Sequence, residues 1–295
     1  MVVTGLPWAD ALLFGLLGLV VGSFLNVVIH RLPRMLERQW ADECTQYGQD
    51  AGLLPAREAA AGQLAYNLWT PRSHCPACAR TVRWHENIPV LGWLALRGRC
   101  AGCGSRISLR YPLVELVTGV LFWFCASRWG ASATALAWCG FCAALVALTC
   151  IDWDTTLLPD DITLPLLWAG LLAAFAGLTA VPLSDAVAGA AAGYVSLWAV
   201  YWAFRLLTGK EGMGHGDFKL FAALGAWFGW QALVPIILLA SVFGALVGLA
   251  LKAFSRLREG GYVPFGPFLA LGGLAALVWG PARIERAVLA VFGLA

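Results

Sequence analysis

The stretch SATALAWCGFCAALVALTCI, residues 132–151, runs for twenty positions without a charge and ends against Asp152-Trp153-Asp154. A helix needs about 20 mostly apolar residues to cross a bilayer, so this stretch predicts a membrane span with two carboxylates at its end. Outward from it the pattern repeats. About eight spans are expected, over 10–30, 111–128, 132–151, 159–180, 184–206, 217–230, 232–254 and 263–281, the sixth short enough to be re-entrant. Composition agrees: 60% of the 295 residues are hydrophobic, 13% are charged and mean hydropathy is +0.74, outside the range of a soluble domain. The expected fold class is an all-α polytopic membrane protein with one small water-soluble loop domain.

Charge sets the expected orientation. Eleven of the 20 Lys and Arg residues lie between Arg31 and Arg110, and none precedes Arg31. The missing positive start argues against a cleavable signal peptide, so the first apolar segment is expected to remain as a span. With the 31–110 loop cytoplasmic, alternation puts the loops near 152–158, 205–219 and 252–262 on the same side. Every basic residue except Arg128, Arg283 and Arg286 then obeys the positive-inside rule. Arg283 and Arg286 count against eight spans and leave seven, with an inside C-terminus, as the alternative. The stretch Glu37 to Leu68 is polar and alanine-rich without a clear period, and its structure is left open.

Within the long loop, Cys75-Pro-Ala-Cys78 and Cys100-Ala-Gly-Cys103 form two CxxC knuckles at the spacing of a four-thiolate zinc site. Gly102 and Gly104 permit the tight turns such a site requires. Four sulfurs leave no open coordination position, so the expected Zn2+ is structural and staples the loop. Paired disulfides are the competing reading, which a reducing cytoplasm disfavours. His74 and His85 are close enough to substitute as ligands, but the four cysteines complete the shell. Cys125, Cys139, Cys142 and Cys150 are expected to pack as small hydrophobes, and Cys44 is unassigned. The expected organisation is a first span (1–30), a cytoplasmic zinc-binding loop domain (31–110) and a transmembrane domain (111–295).

Ionisable groups beside spans are costly and mark functional sites by default. Two clusters qualify: Asp152 and Asp154 with Asp160 and Asp161 after Pro159, and Gly212-Met213-Gly214-His215-Gly216-Asp217-Phe218-Lys219. Both fall on the cytoplasmic face by alternation. Two carboxyls brought close cannot both ionise easily, so one keeps a proton while the other stays charged, the split that acid and base roles need. Such a pair activates water against a peptide carbonyl, and glycines before Asp217 let an extended backbone approach or a hinge form. Against this, Asp160 and Asp161 are expected mainly to cap a helix, Asp217 has the same capping alternative, and Lys219 reads equally as an inside anchor. Asp152 and Asp154 are not separable on these grounds.

Taken together, these residues resemble the type IV prepilin peptidases, GxGD aspartyl proteases that are bifunctional leader peptidases and N-methyltransferases of pilus and type II secretion systems. Gly22-Ser23-Phe24-Leu25-Asn26 through Arg31-Leu32-Pro33 looks like their first-span signature. The paired CxxC loop, Glu86-Asn87-Ile88-Pro89 and Arg110-Tyr111-Pro112-Leu113-Val114-Glu115 resemble their loop motifs. The resemblance covers nearly the whole chain. It implies Asp152, upstream of Pro159-Asp160, and Asp217, closing the GxGD motif, as the catalytic pair, with Asp154, Gly214 and Gly216 in support. It implies cleavage after the glycine that ends a basic leader, then methylation of the new N-terminus from S-adenosylmethionine. The partners it implies are prepilins, pseudopilins and the inner-membrane bilayer, with the active site facing the cytoplasm and no nucleic acid. The soluble glycine-rich nucleotide fingerprint is missing, and methyl-donor-binding residues are not assigned. Asp154, Asp160 and Asp161 are an expected attraction for the basic leader. A proton- or cation-coupled transporter with a zinc-stapled loop, and a non-catalytic scaffold, are the rival readings.

Overall fold

The computed structural model describes residues 6–53, 66–254 and 263–291. Their elements are helical: α1 (Pro7–Asp50), α2 (Leu91–Ala95), α3 (Arg110–Trp129), α4 (Ala133–Thr155), α5 (Asp160–Phe175), α6 (Leu183–Thr208), α7 (His215–Phe228), α8 (Leu233–Ala253), α9 (Gly266–Trp279) and α10 (Pro281–Val291). Two 3-10 turns, Trp84–Asn87 and Trp230–Ala232, complete the list.

Each of the eight expected spans holds a helix, but their lengths differ. Four elements are long and apolar enough to cross a membrane: Pro7–Asp50, Ala133–Thr155, Leu183–Thr208 and Trp230–Ala253. A fifth arises if α9 and the start of α10, bent by 110°, are one broken span. The eight-span count therefore exceeds what length and composition support among the described residues. At 1.5 Å per residue, α5, α7 and α9 are only about 21 to 24 Å long, short of a hydrocarbon core about 30 Å thick. In α3, Glu115 and Arg128 interrupt the apolar run. Large side chains such as Leu16, Trp123, Trp168, Leu172 and Leu249 nonetheless point outward from these helices, as lipid-facing surfaces do.

The chain divides into two compact units, Leu13–Leu121 and the remainder, Met1–Leu12 with Phe122–Ala295. In the larger unit α7 lies at the centre, and ten of its 14 residues are buried. A short helix that is apolar all round must be enclosed by others. It meets α6 through glycines: a Cβ on Gly225 would lie 2.1 Å from the Gly189 carbonyl oxygen, and one on Gly193 2.7 Å from that of Phe221. On its other side Trp227 donates its indole N–H to the Leu166 carbonyl of α5 (2.9 Å). Trp227 also packs against Trp138 and Phe141 of α4, with ring centroids 4.8 and 5.0 Å away. Cys125, Cys139 and Cys142 are buried here as small apolar groups.

In the smaller unit α1 and α3 run antiparallel in close register. Asn26 donates to the Tyr111 carbonyl, Gly22 lies against the Glu115 Cα, and Leu19 covers Gly119. The helix does not stop at residue 30, where the loop was expected to start. It continues to Asp50, because nothing but Pro33 opposes it and Gln39 reaches Glu43 one turn on (2.8 Å). Residues 54–65 of the stretch left open lie outside the described residues. Where the chain resumes, the buried Arg31 guanidinium donates to the carbonyls of Asn67 (2.9 Å) and Pro71 (2.5 Å), tying the loop back onto α1.

Candidate active site and metal centre

Two acidic helix ends meet in the larger unit. Asp152 lies one turn before the end of α4, which closes when Thr156 adopts a left-handed conformation (φ 55°) and donates its N–H to the Asp152 carbonyl. Asp217 stands in the first turn of α7, where its Oδ2 accepts the Gly214 N–H (3.2 Å). Both side chains are nearly inaccessible, 4% and 6% exposed, and close enough for the charge on Asp152 to act on Asp217. Asp154, two residues on, faces outward and is exposed. The two aspartates thus differ in burial, Asp152 enclosed and Asp154 outside.

Neither glycine of the supporting set is incidental. Gly214 is the N-cap residue of α7, and a Cβ on Gly216 would lie 2.7 Å from that of Leu158, in the short connection between α4 and α5. Leu158 also touches Gly266, the first residue of α9, where a Cβ would fall 2.6 Å from Asp152 Oδ2. Gly266 and Leu158 were not singled out from the sequence. The one available signal was Gly266-Pro267 opening an apolar segment, since Pro favours the first turn of a helix. We expect Gly266→Ala to push the Asp152 carboxyl aside and lower turnover at least about tenfold, or about 1.4 kcal/mol. Comparing turnover with protein yield would separate this from loss of fold.

Asp160 and Asp161 stand in the first turn of α5, where acidic groups complement the helix dipole, although its N-cap residue, Pro159, makes no side-chain cap; both Asp160 oxygens also accept from Lys219 Nζ at 2.7 Å. Lys219 is accordingly the far half of an ion pair joining α5 to α7, two residues beyond Asp217. Asp161 is exposed.

In the smaller unit the two CxxC knuckles are built alike. Cys75 N–H donates to the Arg80 carbonyl and Ala79 N–H to that of Cys75; Cys100 N–H donates to Ser105 and Gly104 N–H to Cys100. Ala79 and Gly104, at matching places, both take positive φ (56° and 72°). The four Sγ atoms of Cys75, Cys78, Cys100 and Cys103 lie within 4.8 Å of one another, with Cys75 to Cys103 at 3.8 Å and Cys78 to Cys100 at 4.0 Å. A tetrahedral ion bonded at about 2.3 Å spaces its sulfurs about 3.8 Å apart, so the set fits a metal. Neither histidine is needed: His74 Nδ1 is within hydrogen-bond distance of the Arg72 carbonyl and His85 packs on Trp84.

The Ser105 hydroxyl and the N–H groups of Ala77 and Cys78 pull the Cys75 thiol down to about 6 from an ordinary value of 9.0. Ser105 also lowers Cys103. A depressed thiol contributes to the folded state above its ordinary range and loses that contribution as pH falls through its folded value. Metal capture needs thiolates, so we expect a loaded loop to hold its metal at neutral pH and release it on acidification. A colorimetric chelator added to the full chain would report the release.

Comparison with known proteins finds two matching family models. Residues 16–129 match the family described as Bacterial Peptidase A24 N-terminal domain, and residues 139–249 match the Type IV leader peptidase family. The chain is 53% identical over 281 residues to a protein of Aeromonas salmonicida (strain A449) described as "Prepilin leader peptidase/N-methyltransferase", covering 94% of this chain and 93% of that one. Proteins of the same description from Stutzerimonas stutzeri and Pseudomonas aeruginosa are 50% and 48% identical. Those alignments cover 93% and 97% of this chain, and 92% and 96% of theirs. No solved structure matches the chain.

Proposed function

Since the chain belongs to the type IV leader peptidase family, we propose that Asp152 and Asp217 are the carboxylates with which it hydrolyses the leader of prepilins and pseudopilins. Its activities are those of a prepilin leader peptidase and N-methyltransferase. Nothing in the relatives favours a transporter. The observation that carries the catalytic assignment is the burial of both carboxyls, one from the end of α4 and one from the start of α7, near enough for the charge on one to act on the other.

One carboxyl holds a proton and the other a charge. The charged member takes a proton from water as its oxygen bonds to the scissile carbonyl carbon. The protonated member hydrogen-bonds the carbonyl oxygen, and the proton taken from water passes to the amine nitrogen as the C–N bond breaks. Gly214, Gly216 and Gly266 keep bulk away from this point, so an extended peptide backbone can lie alongside. Asp154 stands outside the pair as a supporting group. With Asp161 it supplies exposed negative charge for a basic leader, while Asp160 is already engaged by Lys219.

The reading includes cleavage after glycine at the cytoplasmic face of the inner membrane, where a prepilin's apolar helix would leave its leader. Here α3, α5, α7 and α9 join the four long helices in an array of about eight passes, with residues 31–110 as the loop domain and 111–295 as the peptidase. The ion suited to the four cysteines is Zn2+, which would hold the loop together and take no part in hydrolysis. For methylation the donor class is S-adenosylmethionine. The described residues contain only isolated β-bridges, so they lack the strand–glycine turn–helix of dinucleotide sites, and no donor ligand is assigned. The test is mass spectrometry of a prepilin incubated with membranes carrying the protein and the methyl donor. A product trimmed after its glycine and one methyl group heavier supports both activities; a trimmed, unmethylated product leaves the peptidase alone; an untouched substrate overturns the reading.

A further inference from the structure

The loop domain carries a turn whose outward side is apolar although it belongs to the polar part of the chain. The 3-10 turn Trp84–Asn87 leads into α2, and Gly92 fits so closely beneath the Glu86 carbonyl that a Cβ would sit 2.2 Å from that oxygen. On its inner side Trp93 donates to the Ile107 carbonyl of the second knuckle. Leu91 and Leu94, three residues apart and so on one side of the helix, point away from the protein and are 64% and 56% exposed; Trp84 is 81% exposed.

The depth of this turn follows from the register of α1 and α3. Glu115 lies level with Gly22, and its carboxylate accepts the Val90 N–H at 2.7 Å, immediately before α2. On α1, Gly22 sits inside the uncharged run from Ala11 to Ile29, nine residues before Arg31. Nine helical residues span about 13 Å, more than a glutamate side chain recovers by reaching back toward the loop. Leu91 and Leu94 are thus held below the level where α1 turns polar.

Charge points the same way. From Trp69 to Arg110 the single acid is Glu86, already paired with Arg80 (2.8 Å), whereas Arg83, Arg97 and Arg99 beside the turn are exposed. Exposed Trp and Leu side chains on one short segment, with exposed arginines close in sequence, are the composition of a segment seated at the headgroup boundary of an anionic bilayer.

We propose that the Trp84–Ala95 turn is a monotopic membrane-insertion element, with Leu91, Leu94 and Trp84 seated in lipid and the neighbouring arginines on anionic headgroups. The element anchors the metal-stapled loop to the membrane surface independently of the peptidase chemistry.

The test places the photocrosslinker benzoylphenylalanine at Trp84, Leu91 or Leu94 of the full chain, one position at a time, in nanodiscs of phosphatidylcholine with or without phosphatidylglycerol. Leu16, outward on the apolar run of α1, is the lipid reference, and Tyr47, exposed on its polar extension, is the aqueous control. We expect lipid adducts at the loop positions roughly tenfold above Tyr47 and comparable to Leu16, rising further with phosphatidylglycerol. Yields at all three positions equal to Tyr47 overturn insertion, as do adducts formed with a second copy or an added prepilin instead of lipid. Yields indifferent to phosphatidylglycerol overturn the headgroup part. Three separate positions keep the result readable if one variant fails to fold.

Discussion

Asp152→Asn and Asp217→Asn should each abolish leader removal, by about a thousandfold or more, with the protein still recovered folded from the membrane. That loss is about 4 kcal/mol of transition-state stabilisation, the scale expected when either member of a cooperating pair is removed. The choice of Asn matters at position 217. Its carboxylate also accepts the Gly214 N–H at the start of α7, so Asp217→Ala combines loss of chemistry with loss of a helix cap, worth about 1 kcal/mol. Asn keeps an acceptor oxygen and surrenders only the ionisable group. If Asp217 merely capped the helix, Asp217→Asn would cleave nearly as well as the parent. Asp154→Ala, which removes an exposed carboxyl, should retain most activity. A gel shift of prepilin in membranes reads all three, and cleavage by either Asn variant overturns the pair.

Gly225→Ala should be the most damaging conservative change in the helical core. The new methyl would meet the Gly189 carbonyl oxygen at 2.1 Å and its carbon at 2.4 Å, and Gly189 meets Gly225 just as closely in return. These are backbone atoms on both sides, so no side chain can swing away and α6 and α7 must separate. Overpacking of this kind costs about 1 to 3 kcal/mol or more, outweighing the gain of about 0.5 to 1 kcal/mol from placing Ala in a helix. Activity should fall as well, because α7 carries Asp217 two turns earlier. Gly140→Ala, on α4 with nothing near its Cβ position, gives the opposite sign and serves as control. Thermal unfolding in detergent distinguishes the two; equal midpoints would contradict the packing argument.

What could be read from residues alone was set by how local each signal is. Ile151-Asp152 ends an uncharged run, and Gly214-His215-Gly216-Asp217 opens another, so both acids stood out. The paired CxxC motifs are likewise local, and their sulfurs converge as spacing suggested. The first-turn place of Asp160 was legible, but its partner Lys219, 59 residues away, was not. Gly266 was invisible for the same reason, since its neighbour Asp152 belongs to a distant helix. Gly189 and Gly225 lie among alanines that look identical to them in sequence and differ only in what the facing helix brings close. Hydropathy marked eight apolar segments and set apart only the sixth, α7, as short; α5 and α9 looked as long as α4 because apolar residues continue past their helical ends. The α1 extension was missed because Glu37 to Asp50 has no apolar stripe, and its helicity rests on the absence of breakers.

That extension changes how far the protein extends from the lipid. At 1.5 Å per residue, the 44 residues of α1 make a rod about 66 Å long, more than twice the roughly 30 Å depth of a hydrocarbon slab. One crossing therefore uses no more than about half of its length, and the remainder is helix that a single pass does not require.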